Sequence, residues 1–232
     1  MYPSTFRQIR SDSLQKIKTT VEILAVTVMT IVLLLIITKS NLFRKYFAYR
    51  QSFALAIWIY IPTLVILIRG RNFEDYGITL KRWKKSLQEV GILSLIVLPP
   101  YVIAFYMIES YFNSATFRLT ISDEFLARTV FLILFISLPE EYFFRGYLQT
   151  ELNRVFGKKH RMLGVNFGIG LILSAIIFGL VHALLGGGWP ALLTIFSGLL
   201  FGWLREKTGG ILAPTLFHGL GNVVYLNLLE SF

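Results

Sequence analysis

Between Met162 and Leu204 the chain carries no Asp, Glu, Lys or Arg, and between Thr208 and Leu229 it again carries none. The hydrocarbon core of a bilayer takes about 20 apolar residues of helix, so the first block holds two spans and the second one. A water-soluble domain has no use for such blocks. Charged residues make up 16% of the 232 and hydrophobic residues 55%, where an ordinary globular chain is about a quarter charged. The expected fold class is all-α: a polytopic transmembrane helical bundle of about seven spans, with one interfacial amphipathic helix.

The spans are expected near 21–38, 52–68, 90–108, 125–150, 164–185, 190–204 and 211–229. The segment Thr79 to Val90 places Leu80, Trp83, Leu87 and Val90 at helical spacing opposite Lys81, Arg82, Lys84 and Lys85. It is read as the surface-lying helix, with Thr79 as its N-cap. The first span follows some twenty polar and basic residues and has no small-residue cleavage site after it, which reads as a retained anchor. With a cytoplasmic N-terminus, most of the 23 Lys and Arg fall in inside segments; Lys39, Arg44, Lys45, Arg50, Arg118 and Arg128 fall outside. The chain is taken as one integral membrane domain, 1–232. Within it, 1–89 holds the N-terminal spans and surface helix, and 90–229 the candidate catalytic core.

Composition excludes several chemistries. Without cysteine there are no disulfides, thiolate metal sites or cysteine nucleophile. The net charge of +10 is carried in short segments between apolar runs. That pattern suits anionic headgroups, so the lipid bilayer is the expected partner and nucleic acid is not. Gly164 with Gly168 and Gly198 with Gly202 are small-xxx-small pairs expected to let helices approach closely.

Ionisable residues inside spans are costly and by default mark function or a paired structural site. Glu141 and Arg145 lie four apart with the acid first, the favourable order for a helical ion pair. Glu140 is about 100° further round the helix. It is left as the free carboxylate, desolvated and beside a like charge, a setting suited to a general base. At a helix end both acids would simply be solvated. His182 follows Phe178 by one turn, and His218 and Asn222 share a helix face. The histidine and asparagine could stabilise an oxyanion or serve as interhelical hydrogen-bond glue. His160 sits among Lys158, Lys159 and Arg161 and is read as solvated.

For peptide hydrolysis in a membrane, the zinc type needs His-Glu-x-x-His, which is absent. The aspartyl type needs two intramembrane aspartates, but Asp12, Asp75 and Asp123 lie outside spans or at their edges. Ser137, Ser174 and Ser197 sit in no evident nucleophile context. A glutamate that activates water, assisted by histidine, remains.

The three motifs Glu140-Glu141-x-x-x-Arg145, Phe178-x-x-x-His182 and His218-x-x-x-Asn222 fall in this order on separate spans. Around them stand Phe144-Arg145-Gly146 and Gly202-Trp203-Leu204-Arg205 leading to Gly209-Gly210-Ile211. Over roughly 90–229 the chain resembles the CAAX protease and bacteriocin-processing family, intramembrane glutamic endopeptidases related to the type II CAAX prenyl endopeptidase. The resemblance implies an enzyme that hydrolyses a peptide bond of a membrane-associated protein or peptide. Glu140 with His182 would activate water, His218 and Asn222 would stabilise the oxyanion, and Glu141 with Arg145 would orient them. A water-activating carboxylate needs no metal, so no cofactor is expected; a divalent metal held by two His and a Glu is the alternative. The expected location is a prokaryotic plasma membrane. A proton-coupled transporter or channel, and a non-catalytic bacteriocin immunity protein, are the competing readings. One geometric condition follows from the spans. If span five starts near 164, His182 lies roughly 30 Å along it, towards the far face from Glu140. A common site therefore requires that span to begin late or tilt steeply.

Overall fold

The apolar blocks form helices that pack around a stripe of buried polar side chains. The structure, a computed structural model, describes residues 3–41 and 47–232, with side chains over 13–41 and 50–232. Arg44 and Lys45, assigned above to an outer loop, lie outside the described residues, as do the side chains of Arg7 and Arg10.

Helix α1 (Pro3–Lys39) pairs with α2 (Phe47–Ile68), and Arg69 just past α2 bonds Glu22 of α1. The polar N-terminal residues thus continue the first helix. A connector carrying a 3-10 turn, Phe73–Tyr76, leads to α3 (Trp83–Met107), which ends in a π turn, Ile108–Phe112. The next helix, α4, is composite over 125–156. Its α segments are Phe125–Phe131, Leu138–Glu141 and Gln149–Phe156; between them lie π segments Leu132–Ser137 and Tyr142–Leu148. Pro139 has no N–H to close the preceding α turn, which accounts for a wide turn just before it. A two-stranded antiparallel hairpin follows, β1 (His160–Met162) with β2 (Val165–Phe167). Then come α5 (Ile169–His182), a π turn Ala183–Gly187, a 3-10 turn Trp189–Leu193, α6 (Thr194–Thr208) and α7 (Leu212–Ser231).

This is an all-α fold with almost no sheet. Four helices among the described residues are long and apolar enough to cross a membrane: Ser13–Lys39, Arg50–Ile68, Trp83–Phe112 and Ile169–Gly187. They mark an integral membrane protein, and their outward residues (Leu95, Ile68, Leu24) are exposed as lipid-facing side chains would be. Fewer helices meet that standard than the seven expected. At 15 residues α6 is shorter than about 20, and α4 carries a row of polar side chains.

Three local expectations change. The amphipathic segment is not a separate helix but the first turns of α3. Arg82, not Thr79, is at its N-cap, and the Thr79 hydroxyl accepts from the Lys81 N–H. Its buried residues are Ser86, Glu89 and Val90, while Leu80, Trp83 and Leu87 face outward. Lys207 explains this, because it pairs with Glu89 at 3.2 Å and its carbonyl accepts from Lys85 Nζ at 2.7 Å, binding the polar side of α3 to α6. Second, Gly164 sits in the hairpin turn with φ +77° and pairs no helices. Third, the hairpin delays α5 to Ile169, so His182 is only about 20 Å along it.

The connector is anchored at the end of α4. Tyr76 is fully buried and donates to Glu151 Oε1 at 2.6 Å, and Arg71 pairs with Glu151 Oε2 at 2.5 Å. Burial, and then the bond to Glu151, push the Tyr76 phenol up to about 12.

Candidate active site

The short α segment Leu138–Glu141, held between two π segments, presents both glutamates. π turns inside α-helices are rare and often mark functional positions. Glu141 is fully buried, and its Oε1 accepts from Arg145 Nη1 at 3.0 Å and from His218 Nδ1 at 2.9 Å. One carboxylate oxygen therefore links α4 to α7. Arg145, also fully buried, donates from Nη2 to the Gly198 carbonyl of α6 at 3.2 Å. Its guanidinium lies 4.4 Å from the Phe178 ring centroid and 5.2 Å from that of Phe201. A buried charge needs such compensation, and here a carboxylate, a carbonyl and two ring faces supply it.

Glu140 points to the other side. Its Oε2 is 3.7 Å from His182 Nε2 and 3.9 Å from His218 Nε2, and no protein group hydrogen-bonds it. These distances are too long for direct hydrogen bonds and right for one bridging molecule. His182 Nδ1 lies 2.9 Å from the Phe178 carbonyl. A carbonyl can only accept, so Nδ1 carries a hydrogen, and in the neutral ring the lone pair on Nε2 faces Glu140. Glu141, ion-paired with Arg145, is likewise an acceptor, so His218 Nδ1–H donates to it. Aromatic rings fix both imidazoles: Phe178 is 4.2 Å from the His182 ring, and Phe201 stacks on His218 at 4.8 Å.

Asn222, one turn beyond His218, donates to Ser137 Oγ at 3.4 Å. An amide has two N–H groups, so one stays free for a ligand. Glu140, Glu141, Arg145, His182 and His218 are thus gathered at one place, with Phe178 beneath them; Asn222 stands at its edge, on Ser137. Sequence reasoning passed over Phe201, Gln149 and the partnership of Ser137. The signal for the polar ones was a spacing of four along α4. Ser174, weighed above as a serine, donates to the Phe144 carbonyl at 2.8 Å, and His160 is exposed on β1 beside Phe167. Among the described residues no group of three His, Cys, Asp or Glu side chains is arranged to hold a metal ion.

Residues 122–224 match the family model described as type II CAAX prenyl endopeptidase Rce1-like. Over this segment, a little under half of the chain, the protein is similar to that family. The segment contains all of the site residues named above, and starts later than the 90–229 stretch of the resemblance. The match supports a CAAX-type intramembrane protease in general terms. No curated protein and no solved structure matches the chain.

Proposed function

We propose that this protein is an intramembrane glutamic endopeptidase that cleaves a membrane-associated peptide or protein by direct attack of water. The observation that carries this reading is the carboxylate oxygen of Glu140, without a protein hydrogen bond, facing two imidazole Nε2 atoms at 3.7 and 3.9 Å. A water between Glu140 and His182 donates one hydrogen to each and turns its own lone pair toward a scissile carbonyl. As its oxygen bonds the carbonyl carbon, one proton passes to this acceptor pair. The carbonyl oxygen becomes an oxyanion beside α7. There the free N–H of Asn222 donates, and so does His218 Nε2 when the ring is an imidazolium. The proton held by Glu140 and His182 then goes to the departing amine as the C–N bond breaks, which balances the reaction.

Glu141 and Arg145 do not touch the substrate in this scheme. They fix the ring of His218 and neutralise charge at the base of the site. The scheme needs no metal. Among a prenylated CAAX tail, a bacteriocin leader and a C-terminal sorting signal, the family description favours the first as substrate class. The enzyme of this reading is a multi-pass protein of a prokaryotic plasma membrane with its N-terminus in the cytoplasm. The basic segments support that orientation.

The test uses purified protein in lipid nanodiscs and a prenylated CAAX peptide, with and without chelator. Wild type should cleave it. Glu140→Gln should lose at least about a hundredfold in rate, and His182→Ala a comparable factor. Equal cleavage by all three would end the assignment, and loss of wild-type activity to chelator would replace it with metal chemistry.

A further inference from the structure

Buried polar side chains recur every fourth residue along α4: Ser137, Glu141, Arg145, Gln149 and Asn153, none more than 8% exposed. Each bonds a helix across from it. Asn222 donates to Ser137, and His218 bonds Glu141, both from α7. Below them the partners lie on α6, also four apart. Arg145 donates to the Gly198 carbonyl, and Gln149 Nε2 donates to the Gly202 carbonyl at 3.1 Å and to Glu206 Oε1 at 2.9 Å. Asn153 donates to the same Glu206 oxygen at 2.9 Å, and Lys158 closes the row on Glu206 Oε2 at 2.5 Å.

Neither feature of this ladder comes from a plain helix. Five positions spaced by four would drift about 160° round an ideal α-helix between the first and the last. The π segment Tyr142–Leu148 turns less per residue, which brings the row back toward one face. The glycines on α6 provide the acceptors. A Cβ on Gly198 would lie 3.0 Å from Ala175 Cα, and one on Gly202 would lie 2.8 Å from Leu171 Cγ and 2.9 Å from Gln149 Oε1. With no side chain in the way, α4 reaches the α6 backbone directly.

We infer that Gln149, which touches none of the proposed reacting groups, is a positioning residue for the site. Its two hydrogen bonds set how far α4 is slid along α6. That register decides where Arg145 holds Glu141, and Glu141 in turn aims His218 at Glu140. The inference rests on the proposed function, and Glu140→Gln on the same peptide separates the two: if that variant cleaves normally, the proposed function itself has failed.

With Glu140→Gln inactive, the measurement is the pH profile of kcat and KM for Gln149→Leu, which keeps the bulk and removes the donors. The expected result is a loss of about tenfold or more in kcat, an unchanged KM and displaced limbs of the kcat profile, because the imidazole meets its carboxylates at altered distances. A purely structural residue would lower the active fraction equally at every pH and leave the shape intact. That outcome overturns the inference, as does an unchanged kcat. Should Gln149→Leu fail to fold, the pair Gln149→Glu with Glu206→Gln exchanges donor and acceptor across the same rung. Its profile should lie closer to wild type than that of Gln149→Glu alone; no recovery in the pair overturns the inference.

Discussion

Arg145→Met would remove the charge that compensates Glu141 while keeping an unbranched side chain of comparable reach. Both members of the pair are fully buried, and the guanidinium also bonds the Gly198 carbonyl of α6. Breaking a buried pair by removing one partner typically costs about 3–5 kcal/mol, because the remaining charge is left in low dielectric. Here His218 still bonds Glu141, which trims the loss; the ring contacts at 4.4 and 5.2 Å add about 2 kcal/mol to it. The expected net destabilisation is about 4 kcal/mol. Adding Glu141→Gln to Arg145→Met removes the orphaned charge and keeps a carbonyl oxygen for His218 Nδ1, so the double variant should recover more than half of the loss. The assay is reversible unfolding in mixed micelles titrated with denaturing detergent, followed by tryptophan fluorescence. A single-variant cost below about 1 kcal/mol, or a double variant no better than the single, would refute the claim that this pair is held by charge compensation in a dry interior.

Other consequences follow from the same contacts. Gly198→Ala should destabilise by about 1–3 kcal/mol, since the added carbon meets backbone of Ala175 rather than a movable side-chain tip; the same titration measures it. Tyr76→Phe leaves the buried Glu151 one donor short and should cost about 1–3 kcal/mol near neutral pH. Because the folded phenol sits at about 12, above its ordinary value near 10, its contribution is complete below pH 10 and is lost as pH rises toward 12. Wild type should therefore lose stability over that interval relative to Tyr76→Phe, and parallel curves would show that the phenol is not the titrating group.

The helical regions were legible because long apolar runs in a membrane leave the backbone no partner but itself. Elsewhere, polar contacts from distant segments override the local pattern. Thr79 to Val90 has an amphipathic pattern, yet which face is buried was decided by Lys207, more than a hundred residues away, pairing with Glu89. The start of α5 was placed too early because Val165 and Phe167 are as apolar as the helix beyond them; the hairpin pairing that removes them from it is not a local property. The Glu141–Arg145 pair could be read from a spacing of four. That His218 completes it could not, since the bond spans 77 positions.

By itself the sequence determined that this chain is helical and belongs to a membrane, and that Glu140, Glu141, Arg145, His182 and His218 stand in its apolar stretches. Those are matters of composition and of periods shorter than two helical turns. Only the tertiary structure decided that Glu140 faces the Nε2 atoms of two imidazoles while Glu141 holds Nδ1 of one of them, and that the glycines of α6 serve α4 as acceptors. Those outcomes hang on the rotation and slide of one helix against another, and the wide turns of α4 reset both by amounts that no fixed helical period contains.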